Sequence, residues 1–199
     1  MKELYTDSFQ DYFSGFQKVI QELNATVLSD LIQCIINVKN KNGRIFFLGM
    51  GGSAANCQHA VNDFRKLCGI EAYSATDNVA EFSARVNDEG LSGTFREYLR
   101  VANIDQDDCV FVLSVGGGDR VQNVSANICE AIDFAKSQNA KILGIVGRKG
   151  YTSEKADACI VMNSSEHAKY LTPFAESLQH LVWHFLVSHP LLKVNSTKW

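Results

Sequence analysis

A short apolar run, a glycine-rich turn and a helical stretch recur in that order along this chain, and the order restricts the fold more than any other feature. Arg44-Ile-Phe-Phe-Leu48 is followed by Gly49-Met-Gly-Gly-Ser53 and a helical pattern over 54–67. Cys109-Val-Phe-Val-Leu-Ser114 is followed by Val115-Gly-Gly-Gly-Asp119 and a helical pattern over about 121–137. Lys141-Ile-Leu-Gly-Ile-Val146 runs into Gly147-Arg-Lys-Gly150, 158–162 reads as a fourth strand and 70–74 as a fifth. Uninterrupted apolar strands that alternate with helices form a parallel sheet covered on both faces. The expected class is therefore α/β, a doubly wound five-stranded parallel sheet with right-handed crossovers. Ligands of such sheets bind at the carboxyl ends of the strands, where these glycine turns lie.

Two amphipathic helices are expected first, over 4–23 and 26–38, from apolar residues at three- and four-residue spacings. Residues 1–199 then make one unit: N-terminal helices over 1–42 and an α/β sandwich over 43–199. Thr172-Pro173 reads as the cap and first residue of a last helix that runs to about Ser188. With 46% apolar and 21% charged residues and a formal charge of −3, the composition is that of a folded soluble chain. No strong basic field holds nucleic acid, and no apolar run is long enough to span a membrane. The six cysteines include no CxxC pair and read as free thiols of a reducing cytoplasm. His167 and Lys169 read as solvated loop residues.

Gly51, Gly52 and Ser53 stand between a strand and a helix, where glycines admit a ligand close to the backbone and the helix start offers free N–H groups to a phosphate. The run is neither GxGxxG nor a Walker loop, so a dinucleotide is disfavoured. Ser114 with Gly116, Gly117 and Gly118 forms a second turn able to nest an anion, with Ser125 nearby. On the helix over 54–67, His59 and Asp63 share a face. On the helix over 173–188, Glu176, His180 and His184 follow at intervals of four. If the two helices face each other, His59, Asp63, Glu176 and His184 converge on a metal site, a proton-transfer pair, or both. Otherwise they are solvated faces. His180 is expected to face water. Asp77, Asn78, Arg85, Asn87 and Asp88 either line a site or cap helices.

Six segments together resemble the sugar isomerase (SIS) domain family, and more narrowly the phosphoheptose isomerases. They are the two leading helices, GMGGSAANCQH at 49–59, TDNVAEFSARVND at 76–88, VLSVGGG at 112–118 and TPFAESLQHLVWH at 172–184. The resemblance implies a flavodoxin-like sheet and a homotetramer whose N-terminal helices form a central bundle, with active sites between subunits. It implies conversion of sedoheptulose 7-phosphate to D-glycero-D-manno-heptose 7-phosphate through an enediol(ate), in bacterial heptose synthesis. Either Asp63 acts as base with His184 as its acid partner, or His59, Asp63, Glu176 and His184 hold a zinc ion that polarises the carbonyl instead. Gly51, Gly52, Ser53, Asp77, Asn87, Asp88, Ser114, Gly116, Gly117, Gly118 and Glu176 are the expected substrate contacts. Met50, Asp63 and Glu176 stand where the family usually has Asn, Glu and often Gln. The second loop keeps only Ser114 of a serine-rich cradle, and an inward Asp119 would repel phosphate. An isomerase of another sugar phosphate, or a non-catalytic sugar-phosphate binder, are the rival readings.

Overall fold

The computed structural model describes residues 2–162 and 168–197, the first four of them as backbone only. His167 lies outside the described residues. Lys169 is exposed and pairs with Asp11 at 2.5 Å.

The chain begins with two helices, α1 (Lys2–Gln21) and α2 (Ala25–Asn40). Asn24 separates them, its side chain accepting from the N–H groups of Thr26 and Val27 at the head of α2. Then follow β1 (Ile45–Leu48), α3 (Gly52–Cys68), β2 (Ala72–Ser74), α4 (Val79–Glu89), α5 (Thr94–Val101) and β3 (Cys109–Ser114). The last elements are α6 (Ala126–Ser137), β4 (Lys141–Val146), α7 (Tyr151–Lys155), β5 (Ala158–Val161) and α8 (Leu171–Ser188). The five strands are all parallel, in the order β2-β1-β3-β4-β5. The strand order reverses between β1 and β3, the crevice in which ligands of open parallel sheets bind.

Burial on both faces follows from the pleat. Ile45 and Phe47 of β1, and Cys109, Phe111 and Leu113 of β3, join α1, α2, α3 and α8 in one apolar cluster. Phe46 and Leu48, and Val110 and Val112, point the other way, into a cluster with Phe95 and Leu99 of α5 and Ile128 and Ile132 of α6. Successive residues of a strand face opposite sides, so a strand buried on both carries no polar alternation.

Two helix starts differ from the sequence expectation. The helix anticipated from about Val121 begins at Ala126. The Asp119 carboxylate accepts from the N–H groups of Val121 and Gln122, at 2.8 and 2.9 Å, and Asp119 pairs with Val124, which closes a turn in place of helix. The last helix starts at Leu171, ahead of Thr172, with Tyr170 at its cap. Pro173 is the third helical residue, still among the positions whose N–H has no partner inside the helix.

The edge of the sheet opposite the glycine turns is held by one buried carboxylate. Asp108, 2% exposed, accepts from the Arg44 backbone N–H at 2.7 Å, from the Arg44 guanidinium at 2.6 and 3.1 Å, and from the Asp105 N–H at 3.1 Å. The same guanidinium donates to the carbonyls of Ala102 and Asn103, both at 3.0 Å. Gly43 packs beneath: a Cβ there would come within 1.8 Å of the Asp107 carbonyl oxygen. Removing one partner of a buried pair strands the other. Asp108→Ala is expected to cost roughly 3–5 kcal/mol, read from the midpoint of urea unfolding at constant slope. A loss below about 1 kcal/mol would reduce this cluster to an ordinary surface pair.

Candidate active site

Helix α3 begins directly after β1 because Gly51 caps it at φ 60, a left-handed conformation that glycine adopts without strain. Gly52, Asn56, His59 and Asp63 then line one face of α3, at spacings of four, three and four. That face meets α8, whose Glu176, His180 and His184 repeat every four residues. Cys57, Ala60, Val61 and Phe64 of α3, and Leu178, Val182, Trp183 and Leu186 of α8, belong to the same buried cluster, and this packing sets the two polar rows against each other.

At one end of this seam the rings of His59, His180 and His184 gather, with ring centres 4.3–5.4 Å apart. One donor atom from each of the three lies within 4.8 Å of the others. Asp63 Oδ2 stands 3.8 Å from the Nε2 atoms of both His59 and His184. Beneath them is Trp183, fully buried, with its ring centre 3.7 Å from that of His184 and 4.7 Å from that of His59. Burial, then the neighbouring imidazoles, push the pKa values of His180 and His184 below the usual histidine value. Neutral imidazoles with free lone pairs, beside a carboxylate, are donors a divalent metal such as zinc accepts.

The expected quartet is only partly assembled. His59, Asp63 and His184 come together, but the group of close donors contains His180 and not Glu176. The expectation that His180 faces water is corrected: its Nδ1 lies 3.3 Å from Asn56 Oδ1 and it is half-buried at the seam. Glu176 lies one turn earlier, over the start of α3, where a Cβ on Gly52 would be 2.5 Å from its carboxylate. Gly52, Asn56, Glu176, Ser177 and His180 border a cavity of about 450 Å³.

A second cavity, of about 350 Å³, opens at the carboxyl ends of β1, β3 and β4. Met50, Ser53, Ser114, Gly116, Ser125 and Arg148 line it. Ser53 and Ser114 are buried, at 2% and 6% exposure. Arg148 has no ion-pair partner among the described residues, and its guanidinium lies over Gly116. Gly117 and Gly118 are buried beneath this cavity, both at positive φ. The Gly117 N–H is taken by Ser114 Oγ, and the Gly117 and Gly118 carbonyls by Thr152 and Tyr151 of α7. They shape the turn, and of the three glycines only Gly116 lines the cavity. Asp119 is turned into its own loop, which removes the expected repulsion toward an anion.

The 76–88 segment stands apart from both cavities. Asn78 caps α4, Asp77 lies in the turn before it, and Asn87 donates to Asp88 on an exposed surface. Neither Asn87 nor Asp88 reaches the seam within this chain. Arg148 and Asn56 were not singled out from the sequence. The i,i+4 spacing of His180 and His184 was the one sequence signal for the histidine cluster.

Comparison with known proteins agrees with this architecture. The model of the SIS domain family matches residues 8–147. The chain is 31% identical over 166 residues to lincomycin biosynthesis protein LmbN of Streptomyces lincolnensis, over 79% of this chain and only 59% of that protein. It is 29% identical over 179 residues to a phosphoheptose isomerase of Nitratiruptor, over 87% of this chain and 89% of the relative. The structure of phosphoheptose isomerase GmhA from Neisseria gonorrhoeae superposes with a TM-score of 0.79 at 19% identity, covering 92% of this chain and 98% of that one. By the extent of the family match and the parallel sheet that bears it out, this chain belongs to the SIS domain family.

Proposed function

We propose that the chain is a sugar-phosphate aldose–ketose isomerase, acting on sedoheptulose 7-phosphate to give D-glycero-D-manno-heptose 7-phosphate for bacterial heptose synthesis. One observation carries this reading: a polar cavity lies at the head of α3 and an acid–base cluster lies further along the same helix. Six residues separate Ser53 from His59, about 9 Å at the helical rise, the scale of an extended sugar from its terminal phosphate to its first carbons. The relatives named phosphoheptose isomerase support the same substrate class.

Ser53, Ser114, the Arg148 guanidinium and the N–H groups at the head of α3 take the phosphate. Holding that end places C1 and C2 at the cluster. Isomerisation then moves a proton between C1 and C2 through a cis-enediol(ate) while the carbonyl oxygen is served by a second group. Asp63 takes the carbon-bound proton and returns it to the neighbouring carbon. The oxygen lies on the imidazole side of the cluster. Glu176, above Gly52 and between the two ends, accepts from sugar hydroxyls. Zinc held among the imidazoles would draw electron density from the carbonyl.

A homotetramer with sites between subunits is part of this reading. Phe9 and Phe13 of α1 are 63% and 55% exposed, and Leu181 and Phe185 stand exposed on α8 near the histidines. Helix α4, which carries Asn87 and Asp88, buries no residue of its own chain, so those side chains are available to a neighbour's site.

Asp63→Asn is expected to lower kcat by a factor of about 10² to 10⁴ while zinc content stays at the wild-type level. The measurement is NMR of product formed from ketose phosphates of six, seven and eight carbons. Silence of the wild type on every member, with and without added zinc, would make the chain a binder. Arg148→Ala is expected to raise KM at least tenfold, the worth of a charge-assisted hydrogen bond of roughly 1.5–3 kcal/mol, with little change in kcat. An unchanged KM would place the phosphate elsewhere.

A further inference from the structure

The amide of Asn56 bridges α3 and α8 at the histidine cluster, and its orientation is fixed by chemistry. One face of it meets the backbone carbonyl of Glu176 at 2.9 Å and Gln179 Oε1 at 3.1 Å. A backbone carbonyl only accepts, so the Asn56 atom facing it is the NH₂ nitrogen, whose two hydrogens serve these two oxygens. The carbonyl oxygen of Asn56 therefore faces His180 Nδ1, at 3.3 Å. An amide oxygen also only accepts, so Nδ1 of His180 carries the hydrogen. In a neutral imidazole with Nδ1 protonated, the lone pair is on Nε2.

We infer that Asn56 is a positioning residue that holds His180 as a metal ligand through Nε2, so that the metal set of this chain is His59, His180 and His184, with Glu176 outside it. A ligating histidine is commonly oriented by a hydrogen bond from its other ring nitrogen to an oxygen acceptor, and Asn56 supplies that acceptor. His180 and His184 are four apart on one helix, a spacing that lets both imidazoles reach one ion. Three protein nitrogens leave an open position on a tetrahedral ion, as catalytic zinc requires. Asp63, at 3.8 Å from two of the imidazoles, is then free for proton transfer. The inference rests on the cluster being the metal centre of the proposed isomerase, but its test needs no sugar.

Metal-free protein is titrated with zinc against a chromogenic chelator, and folding is monitored by thermal unfolding. Asn56→Leu is expected to weaken zinc binding ten- to a hundredfold, His180→Gln more than that, and Glu176→Gln not at all. Cobalt-loaded wild type and Asn56→Leu are expected to differ in their visible spectra. Long-range proton–nitrogen NMR of the metal-free wild type is expected to show His180 protonated at Nδ1, a readout that does not depend on any variant folding. Wild-type zinc affinity in His180→Gln, a loss in Glu176→Gln as large as in His180→Gln, or an Nε2-protonated His180 would each overturn the assignment. Loss of zinc in Asn56→Leu from a protein that turns over no ketose phosphate would sustain it while the isomerase reading falls.

Discussion

Helices α3 and α8 lie side by side, and side chains from both, with Phe64, Val182 and the fully buried Trp183 among them, fill the seam between them. The three histidines, Asp63, Asn56 and Glu176 sit along that seam, and the cavity lined by Ser53, Ser114 and Arg148 opens beside the head of α3. The apolar residues of each helix fall on one stripe, so burying the stripes leaves only one rotational setting for each helix. That setting turns the row ending in His59 and Asp63 toward the row ending in His180 and His184. Polar groups brought to an apolar seam lose water, and they persist there because they find one another. Asn56, bonded to Glu176, Gln179 and His180, is the clearest instance. The Trp183 indole N–H and the Gln179 amide nitrogen, buried without a partner among the described residues, show what the arrangement costs.

The head of α3 and the histidine cluster differ electrostatically. At the end proposed to take the phosphate the groups are donors: a guanidinium, hydroxyls, and the partial positive charge at the head of a seventeen-residue helix. At the other end they are imidazoles and a carboxylate, with burial favouring the neutral form of two histidines. A substrate that is anionic at one terminus and carbonyl-bearing at the other finds its orientation in this difference. The second glycine loop contributes by being rigid. Its carbonyls are tied to α7, and Asp119 spends its charge on the turn that follows. Glycine at 117 and 118 thus serves the shape of the backbone, and Ser114 and Gly116 line the cavity.

The parallel sheet and the two leading helices were legible because they depend on periodicity, which one sequence carries in full. Ile45 to Leu48 and Cys109 to Leu113 announce burial on both sides by having no polar alternation. Helix starts were less legible. Asp119 favours a turn over helix only through its hydrogen bonds to Val121 and Gln122, and no apolar pattern encodes that choice. In the site, His59, Asp63 and His184 followed from helical spacing joined to the resemblance. His180 shares the helical spacing of Glu176 and His184, but spacing alone does not separate a histidine that faces water from one turned into the seam. Its place depends on the rotational setting of α8 and on Asn56, both tertiary matters. The Arg44–Asp108 cluster was equally silent: two charged residues 64 apart become partners only once β1 and β3 pair in parallel.

That cluster anchors the amino ends of the central strands, some distance along the sheet from the loops that carry the chemistry. Divergence therefore meets unequal resistance in different parts of the molecule. Exchange of Met50, of the 119–125 loop or of Arg148 disturbs only the open rim, while the anchored margin keeps the strands in register. A lineage built on this plan can trial new sugars by editing loops, and its foldability is not put at stake in each trial.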